Sequence, residues 1–142
     1  MELKGSLVRL AGAGAALAVG STVMVFAAPS ASAASADVWL PYGASYYIGT
    51  ATWSNRSVAI DGSFKATGCR RVYARAFAGS TTLDFRSTST WCDTSGPADF
   101  ALSADVVGGS DNIWVYMTDE NGKHLKEQTC YRSSGVCVGG LQ

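Results

Sequence analysis

The chain has 142 residues, and its 11 lysines and arginines balance its 11 aspartates and glutamates. A chain without net charge has no broad electrostatic attraction for nucleic acid or for an anionic membrane, so we expect neither as a partner. Its length allows a single domain once the unusual N-terminal segment is set aside.

Residues 1–36 have the order of a secretory signal peptide. Two basic residues near the start are followed by an uncharged run, residues 10–28, and then by a proline and a series of small residues. This is the order of basic, apolar and cleavage regions in an exported precursor. The peptidase needs small side chains at the first and third positions before the cut, which predicts cleavage after Ala33 or Ala36.

A retained membrane anchor is the alternative, because an uncharged run of about 18 residues can span a bilayer. Alanine and glycine make this run only weakly apolar, and two cleavage sites follow it at once. The alanine-rich run and the exit Ala-Pro-Ser-Ala-Ser-Ala resemble the signal peptides of actinobacteria, which implies such a source. We therefore expect no stable membrane anchor and a mature domain, residues 37–142, that is secreted or associated with a cell or spore surface.

The mature region consists of short runs of β-branched and aromatic residues between turn residues, which predicts an all-β domain. The first hairpin is predicted around residues 55–56. A two-residue turn there places Trp53 opposite Val58 and Ala51 opposite Ile60, so four apolar side chains share one face.

The second hairpin is predicted with its loop at residues 80–81. In that register Arg75 faces Arg86, and Cys69 faces Cys92. The opposed arginines disfavour the register by a few tenths of a kcal/mol, and a one-residue bulge would relieve them. The predicted core face of this hairpin holds a mostly apolar set: Val72, Ala74, Ala76, Leu83, Phe85 and Trp91.

The four cysteines of an exported domain predict two disulfides. The register of the second hairpin selects Cys69–Cys92, which leaves Cys130–Cys137 as the other bridge. A zinc site built from all four thiolates is the alternative, but the cysteines lack a closely spaced C-x-x-C pair, so we expect no metal.

Residues 100–107 alternate between apolar and polar, residues 113–118 form the most strongly β segment, and Asn121-Gly122 predicts a hairpin to residues 123–131. About seven to nine short strands of this kind favour a small antiparallel β-sandwich, with a small β-barrel as the alternative.

No residue set in the mature region has the pattern of a catalytic site. The single histidine, His124, is predicted to be a solvated turn residue. Asp93, Asp99 and Asp119 lie beside predicted turns, where aspartate ordinarily hydrogen-bonds the backbone. We expect a non-catalytic protein without a cofactor, and a small hydrolase that uses Asp93, Asp99 or Asp119 is the alternative.

Tyr73 and Phe77 are predicted to form an aromatic strip with Arg71, Arg75 and Arg86 on one face of the second hairpin. Such a strip could bind a sugar, a peptide or another protein. The alternative is that this face packs beneath a loop or the N-terminal segment.

These features favour a small secreted protein that acts by binding a protein or polysaccharide outside the cell, or as a component of a cell envelope or spore surface. The first alternative is an extracellular protease inhibitor, because the loop between Cys130 and Cys137 is stiffened by a bridge and carries Tyr131, Arg132 and Val136. The second alternative is a carbohydrate-binding module that uses the aromatic strip.

Overall fold

The computed structural model describes residues 33–139, and these form nine β-strands and no helix. The strands are β1 (Ser35–Tyr42), β2 (Ser45–Trp53), β3 (Ser57–Ala78), β4 (Thr81–Ser87), β5 (Trp91–Pro97), β6 (Phe100–Ser103), β7 (Asn112–Asp119), β8 (His124–Tyr131) and β9 (Val136–Gly139). Every pairing between them is antiparallel. The predicted all-β fold is confirmed.

The predicted signal peptide falls on residues 1–36, and all but the last four of these lie outside the described residues. Within residues 33–139 no helix has the length and apolar character needed to cross a membrane.

The 22-residue strand β3 organises the sheet. One edge of β3 pairs first with β2 and then with β7, which gives the strand order β1-β2-β3-β7-β8-β9. The other edge pairs with β6, β5 and β4. The ladder between β3 and β5 is irregular between Ala66 and Cys69, where Gly68 adopts a φ of 73°. A bulge of this kind bends a strand, so β3 can serve both halves of the sheet.

Contacts between strands that are distant in the sheet order nearly close it into a barrel. The backbone N–H of Trp39 in β1 donates to the side-chain oxygen of Gln128 in β8, at 2.9 Å. On the other side, the N–H of Ser103 in β6 donates to the carboxylate of Asp84 in β4, at 2.8 Å. Of the two architectures that the sequence left open, the structure therefore has the barrel-like one.

The first hairpin has the predicted register, with Trp53 opposite Val58 and Ala51 opposite Ile60. All four side chains are buried in the core. Complete burial of a large apolar side chain contributes about 1.5–3 kcal/mol, which makes this hairpin a major part of the core.

Both predicted disulfides are confirmed. Cys69 and Cys92 are directly opposed on β3 and β5, and Cys130 and Cys137 are directly opposed on β8 and β9. Each bridge therefore joins two neighbouring strands at a point where the backbone ladder already holds them together.

The predicted register at the tip of the second hairpin is wrong. Arg75 faces Phe85, and Arg86 faces Ala74, because the turn lies at residues 79–80, one residue earlier than predicted, and a one-residue bulge at Leu83 follows it. This register avoids the unfavourable pair of opposed arginines, and Arg86 forms an ion pair with Asp84 at 3.1 Å. Phe85, predicted on the core face, lies on the outer face and is 43% exposed.

Tyr47 is the largest polar side chain in the core. It is fully buried, and its hydroxyl donates to the carbonyl of Ala98 at 2.8 Å. The room for the ring comes from Gly62, where a Cβ would overlap the Tyr47 hydroxyl. Burial raises the pKa of Tyr47 well above its usual value, and the nearby carboxylates of Asp99 and Asp61 raise it further.

Candidate binding face

The register of β4, β3, β7 and β8 aligns a row of aromatic residues on the outside of the barrel. Tyr73 on β3 lies opposite Tyr116 on β7, and Arg75 lies between Phe85 on β4 and Trp114 on β7. Directly opposed residues project to the same side of a sheet, so these side chains form one surface. We call this surface the aromatic face, and its members are Arg71, Tyr73, Arg75, Phe77, Phe85, Trp114, Tyr116, His124 and Glu127.

Four rings of the aromatic face stack in sequence across four strands. Tyr73 lies between Phe85 and Tyr116, with ring centroids 5.7 and 4.8 Å apart and planes within 10° and 8° of parallel. Tyr116 stacks in turn on His124, at 4.4 Å and 11°. Each such pair contributes about 0.5–1.5 kcal/mol beyond the area that it buries, so the stack is held firmly in place.

Two arginines lie on this stack, and their surroundings differ. Arg71 lies over the Tyr73 ring at 5.0 Å, and its side chain donates to the carbonyl of Thr88 and the hydroxyl of Ser87, both at 2.8 Å. Arg75 lies 4.6 Å from the centre of the Phe85 ring and 5.7 Å from that of Trp114. These contacts hold both guanidinium groups against aromatic rings.

The guanidinium of Arg75 has unused hydrogen-bonding capacity. Its Nε is buried without a hydrogen-bond partner, and no carboxylate among residues 33–139 forms an ion pair with it. The buried Nε itself is out of a partner's reach, so an incoming anionic oxygen would meet the terminal Nη groups, which form no ion pair within the same residues.

Glu127 is the acidic member of the aromatic face, and it is already engaged. Its carboxylate accepts a hydrogen bond from Nε1 of Trp114 at 2.9 Å and lies 4.0 Å from Nδ1 of His124. Burial raises the pKa of Tyr116, and the nearby positive charges of Arg75 and Arg71 offset this only in part. At neutral pH the Tyr116 hydroxyl is therefore protonated and the arginines beside it are cationic, so the charge that the face presents suits carboxylate ligands.

The structure places most of the predicted strip on this face but excludes one member. Tyr73, Arg71 and Arg75 form its centre, and Phe77 lies at one end, opposite Asn112 of β7. Arg86 projects to the other side of the sheet, because it pairs with the core residue Ala74.

The predicted inhibitory loop adjoins the same surface. Asn112 faces Tyr131, and Tyr131 faces Val136, so the row that begins at Phe77 continues across β8 and β9. Tyr131 and Val136 are 42% and 53% exposed. Two regions that the sequence treats as separate sites are thus parts of one surface.

Arg132 is held away from this row. Its guanidinium donates to the carbonyl of Gly108 at 3.0 Å, and its backbone N–H donates to the carbonyl of Asp111 at 2.9 Å. The residue therefore fastens the β8–β9 turn to the loop that precedes β7.

Trp114 was not foreseen as a functional residue. It is central to the face because it contacts Tyr116, Arg75 and Glu127. The sequence did carry a signal, because Trp114 lies between the buried residues Ile113 and Val115 within the most strongly β segment. His124, predicted to be solvated, is half-buried beside them in the stack.

The three candidate catalytic carboxylates each hold a piece of backbone. Asp93 accepts the N–H of Gly68 at 2.7 Å, at the bulge of β3. Asp99 accepts the N–H of Gly62 at 2.9 Å, and Asp119 accepts two N–H groups of the turn that follows β7. Backbone hydrogen bonds of this kind are the ordinary role of aspartate beside a turn.

Two shallow hollows lie beside β5, with volumes of about 210 and 300 Å³. Residues 33–139 contain no group of three His, Cys, Asp or Glu side chains placed to hold a metal ion. No protein-family model, curated protein or solved structure matches this chain.

Proposed function

We propose that this chain is an exported, non-catalytic binding protein, and that its aromatic face binds a second protein through carboxylates of that partner. The observation that carries the proposal is the guanidinium of Arg75, which is held between Phe85 and Trp114 and forms no ion pair within residues 33–139. Arginine forms paired hydrogen bonds with carboxylates, and a guanidinium already fixed by rings loses little freedom when it binds one.

The composition of the face supports a protein partner. Tyrosine, tryptophan and arginine are the residue types that most often dominate the energy of protein–protein contacts. Lysine and acidic residues are depleted in the centres of such contacts, and Glu127 is the acidic residue within the aromatic face. The stacked rings are held in place before binding, which reduces the entropy lost on association.

A polysaccharide suits the stack less well than a protein does. A sugar ring packs against the open face of an aromatic ring, whereas Tyr73 and Tyr116 each have rings stacked on both faces. Tyr116 is only 7% exposed, so the outward contribution of this pair is the ring edge and hydroxyl of Tyr73, which match the mixed polar and apolar surface of a protein.

The two disulfides support the export part of the proposal, since such bridges persist in oxidising compartments outside the cytoplasm. No feature of the described β8–β9 hairpin favours protease inhibition as a second function. Tyr131 and Val136 belong to paired strands, and Arg132 is fastened to a neighbouring loop.

The proposal is tested by affinity capture from the producer's envelope and medium, with the wild-type domain and three variants as bait. We expect one protein to be recovered with the wild type and with Arg56→Met. Recovery should fall about tenfold or more with Arg75→Met, and less with Arg75→Lys, which keeps the charge but loses the planar fork. Arg56 is a suitable control because it is an exposed arginine in the β2–β3 turn, paired with Asp105.

Equal thermal midpoints for the variants would show that the fold is intact. Equal recovery with Arg75→Met would refute the role of the aromatic face. Retention of the domain on chitin, cellulose or peptidoglycan, with no protein captured, would replace the protein partner by a polysaccharide.

A further inference from the structure

The first strand distinguishes between the two predicted cleavage sites. We infer that the signal peptidase cuts between Ala33 and Ala34, and this inference rests on the proposal that the chain is exported. Both sites have small residues at the first and third positions before the cut, so the sequence gives them equal standing. The two sites differ in whether residues 34–36 remain on the mature chain.

Residues 34–36 are part of the folded domain. The carbonyl of Ala34 accepts a hydrogen bond from the N–H of Trp53 at 2.9 Å. Ser35 and Ala36 are the first two residues of β1 that pair with β2. Ala36 is only 3% exposed and belongs to the core, and Ala34 packs against that core.

A cut after Ala36 would remove every one of these interactions. It would leave the backbone N–H of Trp53 without its acceptor at the end of β2 and expose the core beneath Ala36. A cut after Ala33 leaves them all in place.

The positions of the two candidate peptide bonds in the fold also favour cleavage after Ala33. The bond between Ala36 and Asp37 lies within β1, which is paired along β2 and also contacts β8 and β9. The carbonyl of Ser35 lies so close to Gly135, in the β8–β9 turn, that a Cβ there would approach it to 2.9 Å. Ala33, in contrast, precedes the strand and is exposed. The first bond thus lies before the start of the paired strand, whereas the second lies within it.

The site is tested by secreting the full chain from a bacterial host and measuring the intact mass and N-terminal sequence of the product. A mature chain that begins at Ala34 is the expected result. A chain that begins at Asp37, or at any other residue, would overturn the inference and leave export standing. A full-length chain retained with the cells would contradict both the inference and the export proposal.

Two variants of adjacent alanines provide a matched pair. Ala34→Leu removes the small residue three positions before the second cut but preserves the first site, so we expect processing to continue after Ala33. Ala33→Leu removes the small residue directly before the first cut, so the product that begins at Ala34 should be lost. The reverse pattern would assign the cut to Ala36.

The structural reason can be measured separately on purified, oxidised domains that begin at Ala34 and at Asp37. The shorter domain should melt lower by roughly 5 °C or more, since it lacks the first residues of β1. Equal melting temperatures would show that residues 34–36 do not matter to the fold and would remove the basis of the inference.

Discussion

At the scale of single residues, the contact between Tyr47 and Gly62 is a tight constraint within the core. The phenol lies across the glycine, and its hydroxyl reaches the carbonyl of Ala98. Glycine is required here for space, since a side chain would occupy the position of the hydroxyl. Close packing also determines the geometry of the aromatic face, where Phe85 and Trp114 fix the position of Arg75.

Gly62→Ala should therefore destabilise the domain by about 1–3 kcal/mol, because the added methyl group overlaps a buried ring that has no room to move. Denaturant unfolding of the oxidised protein measures this. Gly96→Ala is the control, because a Cβ at Gly96 meets only the Trp91 ring, at an ordinary 3.8 Å. Similar losses for both variants would contradict the steric explanation.

Trp114→Ala should loosen Arg75 and the stack while leaving the core intact, because Trp114 lies on the outer face. We expect reduced near-ultraviolet circular dichroism and capture of the partner at least about tenfold weaker, with a smaller effect on stability than Gly62→Ala. Trp39→Ala is a matched control, since Trp39 is 46% exposed on β1 and contacts Tyr46 instead. Equal loss of capture for both tryptophan variants would disconnect binding from the aromatic face.

At the scale of strands, β3 shows what the sequence could and could not predict. The first hairpin was predictable from its turn residues and alternation, which lie close together in the chain. Both disulfides were predicted as well, although the register used to select Cys69–Cys92 does not hold along β4. The continuity of β3 was not predictable, because the bulge at residues 66–69 interrupts the alternation and resembles a break between two strands. The pairing of Tyr73 with Tyr116 depends on the register between β3 and β7, for which no local signal exists.

The carboxylate of Asp84 on β4 accepts a hydrogen bond from the N–H of Ser103 on β6, and its charge makes this contact sensitive to acid. Burial raises the pKa of Asp84, but the backbone N–H groups of Ser103 and Phe85 and the side chain of Arg86 lower it by more, so the net pKa is below its usual value. The folded state therefore releases the proton more readily than the unfolded state does. The stabilisation is complete above the unfolded pKa, near 4, and is lost as the pH falls through the lower folded value.

Asp84→Asn should consequently destabilise the domain at neutral pH and reduce the dependence of its stability on pH below about 4. Urea unfolding at a series of pH values measures both effects. Asp105→Asn is the comparison, because Asp105 pairs with Arg56 in solvent, where such pairs contribute little. An unchanged acid dependence in Asp84→Asn would show that another group is responsible.

At the scale of the whole molecule, the barrel closes on its β1 side partly through side chains. The side-chain oxygen of Gln128 accepts a hydrogen bond from the N–H of Trp39. In a continuous ladder a backbone carbonyl would take this place. This join holds β1 against β8, and β1 also carries the residues that follow the inferred processing site. The N-terminal margin of the domain is thus fastened both by its pairing with β2 and by one amide side chain.

Gln128→Ala should accelerate hydrogen exchange at the Trp39 amide by about tenfold or more, because that group would lose its acceptor. Amides in the ladder between β7 and β8 provide the internal reference and should exchange as before. Unchanged exchange at Trp39 would mean that the backbone alone closes the barrel on this side.

The central position of β3 also determines how the domain unfolds. Five other strands pair with β3 directly. The domain therefore cannot be divided into two parts that would each remain folded. Unfolding should be a single cooperative step, with the same midpoint by tryptophan fluorescence and by far-ultraviolet circular dichroism. Under the proposed function, the domain would then present either a complete aromatic face or none, and no partly unfolded form would compete for the proposed partner.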